Sequence, residues 1–356
     1  MNYRLLGNSG LRVSEVALGT MTFGEDWGWG SSKDEARRIY DAYRNAGGNF
    51  VDTANVYTNG SSESFVGEFV RQHRESMVLA TKYTCTESTG DPNAGGNHRK
   101  SMMQSVERSL KRLQTDYIDL LWLHVWDQMT PVDEVMRAFD DLVRQGKVLY
   151  AGISDSPAWW VAQANTLAEL RGWTRFAGLQ MEHSLIERTV ERELVPMAKA
   201  LNLGILAWSP LAGGILSGKY HSGNAGNGRY HDQAGEASGR GRTGQRVDRI
   251  VSALEKVAAE IDRRPAQIAL AWLRYRNVPV IPIVGARRFE QLQDNLASLE
   301  LALTGEQLAE LDEASAVEMG FPYTTLDRDR IRGFVYGGMR DKILIEAQAG
   351  GPAEPR

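Results

Sequence analysis

The chain has 356 residues, of which 42% are hydrophobic and 24% are charged, and its formal net charge is −4. This composition supports a large buried core and excludes a disordered or low-complexity chain. The slightly acidic balance gives no general attraction to nucleic acid or an anionic membrane. The one cysteine, Cys85, excludes an intrachain disulfide and a multi-cysteine metal site. The sequence contains no apolar run of membrane-spanning length, so we expect a cytoplasmic protein with no membrane partner.

Short apolar runs alternate with amphipathic stretches from about residue 15 to residue 295. Each run is aliphatic-rich and continuous rather than alternating, which is typical of parallel strands that are covered on both faces. The eight predicted strands are 15–20, 49–54, 76–83, 118–124, 148–154, 177–184, 203–210 and 278–286.

The stretches between the runs have helical patterns. A capping box at 32–35 predicts a helix through Ala46, which Gly47 and Gly48 would end. Further helices are predicted at 98–114, 131–147, 191–202 and 246–261.

Eight strands that alternate with helices predict a (β/α)8 TIM barrel over about 15–312, within a single domain that comprises residues 1–356. A doubly wound Rossmann sheet is the alternative, but it needs G-x-G-x-x-G directly after its first strand. We expect residues 3–14 to form a β-hairpin that plugs the barrel floor. Residues 220–245 predict a long mobile loop after strand seven, and a tail follows from about 318.

Polar side chains at the carboxyl ends of barrel strands meet at one mouth. Asp52 ends the second run, with Tyr57 in the following loop, while Lys82 ends the third run and His124 the fourth. A lysine beside a tyrosine lowers the pKa of the phenol, a carboxylate holds the lysine, and a histidine orients a substrate oxygen. Each residue alone has a structural explanation, but the joint placement predicts proton delivery to a carbonyl group.

The sequence resembles the aldo-keto reductases. The resemblance is carried by NFVDTANVY, LATK, IDLLWLH, AGIS, WSPLAGGILSGKY and IPIVGARRFEQLQDN, in the family's order from about residue 3 to residue 312. The last block is similar to the bacterial branch that includes aryl-alcohol dehydrogenases and potassium-channel β-subunits. The family's catalytic tetrad falls on Asp52, Tyr57, Lys82 and His124.

The resemblance implies that the barrel binds NADP(H), with NAD(H) as the alternative, without a Rossmann fold. We expect Ser154, Asp155 and Gln180 to hold the carboxamide of the nicotinamide, although the family more often has Asn where Asp155 stands. Trp208 would stack on the nicotinamide ring, and Arg287 is the candidate for the ribose 2′-phosphate. The other implied cofactor residues are Thr20, Met21, Asp52, Ser209, Pro210, Leu211, Gly213, Ser217, Lys219, Gly285, Ala286, Gln291 and Asn295.

Aromatic residues near the strand ends are candidates for a substrate wall. With His124, the candidates are Trp27, Trp29, Tyr83 and Trp126. We expect Trp159 and Trp160 to serve in packing and Cys85 to be incidental. His183 has no assigned role.

The favoured function is NADPH-dependent reduction of an aldehyde or ketone, with Tyr57 as the general acid. The substrate would be a small carbonyl compound, aromatic or bulky, and the protein a monomer or small homo-oligomer without a nucleic-acid partner. One alternative is a cofactor-binding regulatory subunit with slow turnover, as in the channel β-subunits. The other is a TIM-barrel lyase or isomerase with Lys82 as a Schiff base.

Overall fold

The structure is a computed structural model, and it describes residues 1–218 and 244–343. It divides the chain into two compact units, Met1–Ala316 and Val317–Arg356. In the second unit the described residues contain helices Tyr323–Leu326 and Asp329–Tyr336. Most of the predicted loop at 220–245 and the end of the tail lie outside the described residues.

The first unit is a closed barrel of eight parallel strands, in which each strand pairs with the next strand along the chain and the last pairs with the first. Each barrel strand lies within or within one residue of one of the eight predicted runs, which confirms the (β/α)8 fold. The barrel strands are β3 (Ala17–Gly19), β4 (Phe50–Asp52), β5 (Val78–Tyr83), β6 (Ile118–Leu123), β7 (Val148–Ser154), β8 (Phe176–Glu182), β9 (Gly204–Trp208) and β10 (Val280–Gly285).

Helices surround the barrel and cover its outer face. The first of them begins after Ser32, whose side chain accepts a hydrogen bond from the backbone N–H of Glu35. This is the N-cap half of the predicted capping box; the Glu35 carboxylate instead accepts from the backbone N–H of Phe289. The helices of this unit are Lys33–Asn45, Ser61–Val70, Arg99–Leu113, Val132–Arg144, Ala158–Arg171, Leu194–Ala200, Gln245–Glu260, Pro265–Arg274, Phe289–Leu296 and Gly305–Ala314. Short 3₁₀ turns lie at Tyr57–Gly60, Arg71–Ser76, Thr189–Glu191, Ala212–Ser217 and Ala297–Glu300.

The predicted hairpin is present and closes the barrel floor. Its antiparallel strands are β1 (Tyr3–Leu5) and β2 (Arg12–Ser14). Leu6 and Val13 are fully buried and pack with the side chains that fill the barrel interior. The floor is therefore sealed, and the opposite end, at the carboxyl ends of the strands, holds the site.

Side chains on each barrel strand alternate between the interior and the helix layer. In β5, Val78 and Ala80 belong to the interior cluster, whereas Leu79 and Tyr83 pack in the outer layer. The same alternation turns Lys82 inward. The indole of Trp122 fills the centre of the barrel, where it lies so close to Gly152 that a Cβ there would approach it to 2.3 Å. The lower barrel is thus solid, and the polar side chains are confined to the mouth.

Candidate active site

The ammonium group of Lys82 is the centre of the site. It is fully buried, and Nζ donates to Asp52 Oδ2 at 2.5 Å, to the carbonyl oxygen of Thr53 at 2.8 Å and to the hydroxyl of Tyr57 at 3.2 Å. Burial acts to lower the pKa of Lys82, but the carboxylate charge of Asp52 and the hydrogen bonds to Asp52 and Tyr57 outweigh it and raise the pKa above its ordinary value. Lys82 is therefore a fixed positive charge next to a phenol.

Tyr57 lies at the start of a 3₁₀ turn that follows β4. Its ring meets the imidazole of His124 edge to face, with ring centroids 6.0 Å apart. Burial raises the pKa of Tyr57, and Lys82 offsets only part of that rise. Lys82 acts to lower this pKa, as the sequence predicted, but the pKa is raised overall because desolvation outweighs the ammonium charge. The phenol is consequently neutral and carries a proton that it can donate.

His124 follows β6 and completes the tetrad. Burial, with a smaller contribution from the charge of Lys82, lowers the pKa of His124 to about 3. Its imidazole is therefore neutral across physiological pH. The sulfur of Cys85 lies 3.6 Å from His124 Nδ1, a contact that the sequence did not predict.

Gln180 joins this group from the far side of the barrel. Its Nε2 donates to Asp52 Oδ1 at 2.9 Å, so Asp52 is held by Lys82 on one oxygen and by Gln180 on the other. Ser154 lies beside Gln180 in the paired strands, and its buried Oγ has no hydrogen-bond partner among the described residues. Ser154 on β7 and Gln180 on β8 therefore form a polar rim next to the tetrad.

The predicted cofactor residues after β9 lie in an irregular turn. Ser209, Ala212, Gly213 and Gly214 all have positive φ, between 48° and 100°. Such turns expose backbone N–H groups in a concave arrangement that suits anions. Trp208 Nε1 donates to Asp155 Oδ1 at 2.9 Å, which fixes the indole at the mouth. Pro210 is buried, Leu211 is half-buried, and Ser217 Oγ donates to Gly214 O; Lys219 lies outside the described residues.

The segment after β10 forms a second part of the mouth. Gln291 Oε1 accepts from the backbone N–H groups of Arg287 and Arg288, and Asn295 Nδ2 donates to Gly285 O at 3.5 Å. Gly285 is exposed. Gln291 and Asn295 therefore shape this loop. Next to it, Thr22 Oγ1 donates to Ala286 O, Thr20 Oγ1 donates to Asp52 O, and Met21 is half-buried.

The aromatic residues predicted to form a substrate wall lie in different parts of the structure. Tyr83 is wrong as a wall residue: it points into the helix layer, is fully buried, and donates to Asn97 O at 3.2 Å. The strand alternation that turns Lys82 inward turns its neighbour outward. Trp29 packs against Trp27 and under the guanidinium of Arg287, at 5.0 Å from its Cζ.

Trp126 remains at the mouth and meets Trp159 edge to face, with centroids 5.5 Å apart. Trp159 is 59% exposed and lies between two clefts of about 340 and 480 Å³, whereas Trp160 is buried as predicted. The expectation that Trp159 serves in packing was therefore wrong, and its exposed ring adds an aromatic surface that the sequence did not predict.

His183 is a structural residue. Its Nε2 lies 3.0 Å from Glu191 Oε1, and Glu191 also receives two hydrogen bonds from Arg188. Burial acts to raise the pKa of Glu191, but these hydrogen bonds lower it to about 2. Among the described residues, no group of three or more His, Cys, Asp or Glu side chains is placed to hold a metal ion. Within the same part of the chain, no helix combines the length and apolar character needed to cross a membrane.

Comparison with known proteins identifies the family of this chain. The profile of the aldo/keto reductase family matches residues 15–316. The chain is 38% identical to a norsolorinic acid reductase of Aspergillus flavus over 336 residues, which cover 91% of this chain and 84% of that protein. It is 38% identical to an aryl-alcohol dehydrogenase [NADP(+)] of Phanerodontia chrysosporium, with coverage of 90% and 87%, and 41% identical to an uncharacterized oxidoreductase, YrpG, of Bacillus subtilis, with coverage of 88% and 95%. The chain therefore belongs to the aldo/keto reductase family and is an oxidoreductase enzyme of the carbonyl-reducing type.

Proposed function

We propose that this enzyme reduces an aldehyde or ketone with NADPH, and that Tyr57 delivers the proton. The observation that carries the proposal is the contact of Lys82 Nζ with both Tyr57 and Asp52 at the barrel mouth. A neutral phenol beside a buried ammonium group can release its proton to a developing alkoxide, because the ammonium stabilises the phenolate that remains.

Each member of the tetrad then has one task. Tyr57 donates a proton from its hydroxyl to the carbonyl oxygen of the substrate. Lys82 holds the phenolate, and Asp52 holds Lys82 in place with help from Gln180. His124, which is neutral, donates one N–H to the same carbonyl oxygen and orients it, without transferring a proton.

The residues at the mouth fit a nicotinamide dinucleotide. The buried Ser154 Oγ lacks a hydrogen-bond partner among the described residues and suits the carboxamide group of the nicotinamide. The side-chain amide oxygen of Gln180 suits the same group. The indole of Trp208 is held in place for stacking, and the turn containing Gly213 and Gly214 suits the pyrophosphate. When bound, the reduced nicotinamide supplies the hydride.

The preference for NADPH rests on Arg287. A guanidinium pairs with a phosphate through two hydrogen bonds, and this one is supported from below by the ring of Trp29. The relative named aryl-alcohol dehydrogenase [NADP(+)] supports the same preference.

We further propose an aryl or otherwise bulky carbonyl substrate. Trp126 and the exposed ring of Trp159 give the mouth an apolar, aromatic side. The relatives named for an aryl alcohol and for norsolorinic acid support this substrate class.

The test is a substrate panel with both cofactors. Aliphatic and aromatic aldehydes and ketones are incubated with the full chain and with NADPH or NADH, and the absorbance of the reduced nicotinamide is followed. We expect turnover with aromatic carbonyl compounds and a higher kcat/KM with NADPH. A stable cofactor complex without turnover on any member of the panel would contradict the proposal and favour a regulatory subunit.

A further inference from the structure

The backbone is strained directly after β5. Thr84 has φ of 101°, a strained conformation that a β-branched residue rarely adopts. The surroundings hold it there: Thr84 Oγ1 accepts from Asn97 Nδ2 at 2.9 Å and from the backbone N–H of His124 at 3.3 Å. Strain of this kind persists only where neighbouring contacts impose it, and here they connect it to a member of the tetrad.

The loops after β5 and β6 are locked to each other on both sides of this turn. Asn97, which is fully buried, receives a hydrogen bond from the backbone of Asp127 and gives its own backbone N–H to the Asp127 carboxylate. Its Nδ2 also donates to Val125 O at 2.9 Å. The position of His124 relative to the strained turn is therefore fixed by hydrogen bonds rather than by packing alone.

The consequence of the strained turn is the position of Cys85. This residue follows Thr84, and its sulfur lies 3.6 Å from Nδ1 of His124. Its carbonyl oxygen accepts from Nδ2 of Asn55, a side chain that is 1% exposed. Cys85 is thus held by Asn55 on one side and by the turn on the other, with its thiol against the histidine ring.

The protonation states of Cys85 and His124 define which of the two donates the hydrogen bond between them. Burial raises the pKa of Cys85, so the sulfur keeps its proton, and the lowered pKa of His124 makes its ring neutral. A thiol is a weak donor and a weaker acceptor, whereas an unprotonated imidazole nitrogen is a good acceptor. The favoured arrangement therefore has the S–H group donating to Nδ1, which leaves the ring proton on Nε2.

We propose that Cys85 is a positioning residue that holds His124 in the Nε2–H tautomer, so that the histidine presents a donor to the carbonyl oxygen of the substrate. The inference rests on the proposed reductase function, because it gives His124 an oxygen to bind. The tautomer of a histidine is set by the hydrogen bond that its other nitrogen makes. Among the described residues, no other group forms a hydrogen bond with Nδ1 of His124.

The first test measures the tautomer directly. The full chain is labelled with ¹⁵N-histidine, the signal of His124 is assigned by its loss in His124→Gln, and two-bond ¹H–¹⁵N couplings report which nitrogen carries the proton. We expect the Nε2–H form in the parent and in Cys85→Ser, which keeps a donor. Cys85→Val, which keeps apolar bulk without a donor, should show a mixture of tautomers. If Cys85→Val fails to fold, Cys85→Ala serves as the donor-free variant.

The second test measures turnover of the same variants. Because a neutral hydrogen bond contributes about 0.5–1.5 kcal/mol, we expect kcat to fall by about two- to tenfold in Cys85→Val, with NADPH affinity unchanged and recovery in Cys85→Ser. An unchanged tautomer in Cys85→Val overturns the proposal, as does equal loss of kcat in Cys85→Ser and Cys85→Val, which would indicate packing. The spectrum needs no turnover, so a parent without reductase activity would refute the proposed function and leave the tautomer result readable.

Discussion

Replacing Lys82 by Met tests the buried ion pair at the centre of the site. The substitution keeps a similar apolar volume but removes a charge and all three hydrogen bonds from Nζ. Asp52, which is 2% exposed, would then keep Gln180 as the partner on Oδ1 and lose its cation. An ionised carboxylate would be left buried without a counter-charge.

The magnitude follows from the burial of both groups. Removing one partner of a buried ion pair costs about 3–5 kcal/mol of stability, because the other charge stays desolvated. Replacing both partners by uncharged residues often changes the stability little. We therefore expect Lys82→Met to lower the free energy of unfolding by about 3–5 kcal/mol. Combining it with Asp52→Asn should restore most of that loss, to within about 1–2 kcal/mol of the parent.

Urea unfolding of the cofactor-free protein, followed by tryptophan fluorescence, measures these differences. Carbonyl reduction by each variant provides the second readout, and we expect the double variant to recover stability without recovering turnover. A Lys82→Met protein as stable as the parent, or a double variant less stable than either single variant, would refute the argument that the pair is buried and coupled.

Three further predictions concern other parts of the molecule. The pKa of His124 is lowered to about 3 from an ordinary 6.5, so its neutral form contributes stability that is complete above about pH 6.5 and is lost as the pH falls towards 3. We therefore expect His124→Gln to flatten the curve of unfolding free energy against pH in that range. An unchanged curve would contradict the burial of the ring. His183→Ala should lower the free energy of unfolding by about 1–3 kcal/mol in chemical denaturation while kcat stays near the parent value, since this side chain bonds Glu191 and no member of the tetrad. Arg287→Ala should raise the Kd for NADPH at least tenfold but change the Kd for NADH less than about threefold in fluorescence titration, and an equal effect on both would exclude a 2′-phosphate contact.

The barrel could be predicted because each strand is an uninterrupted apolar run and each helix places its apolar residues with the helical period of about 3.6 residues. The inward position of Lys82 followed from the same alternation, once the strand was placed. The error at Tyr83 has the same origin, because reading both residues as mouth residues ignores the period of two that sends adjacent side chains to opposite faces.

The contacts that the sequence did not predict are those set by loop conformation. The positive φ of Thr84 has no signal in the residue type, since threonine disfavours it, and it determines where Cys85 points. The exposure of Trp159 depends on the relative positions of the segments 126–133, 157–163 and 189–194, which line the two clefts beside it. No local sequence pattern predicts those positions. The direction of the shift in the Tyr57 pKa likewise depends on the balance of desolvation against one charge, and this requires coordinates.

The most direct test of the central claim is the kcat of Tyr57→Phe with NADPH and an aromatic aldehyde, alongside the Kd for NADPH. Removing one hydroxyl removes the proposed proton donor and leaves the ring contact with His124 in place. We predict a fall in kcat of about 10²–10⁴-fold with a Kd within about twofold of the parent. A Tyr57→Phe enzyme that turns over as fast as the parent would show that the proton comes from another group.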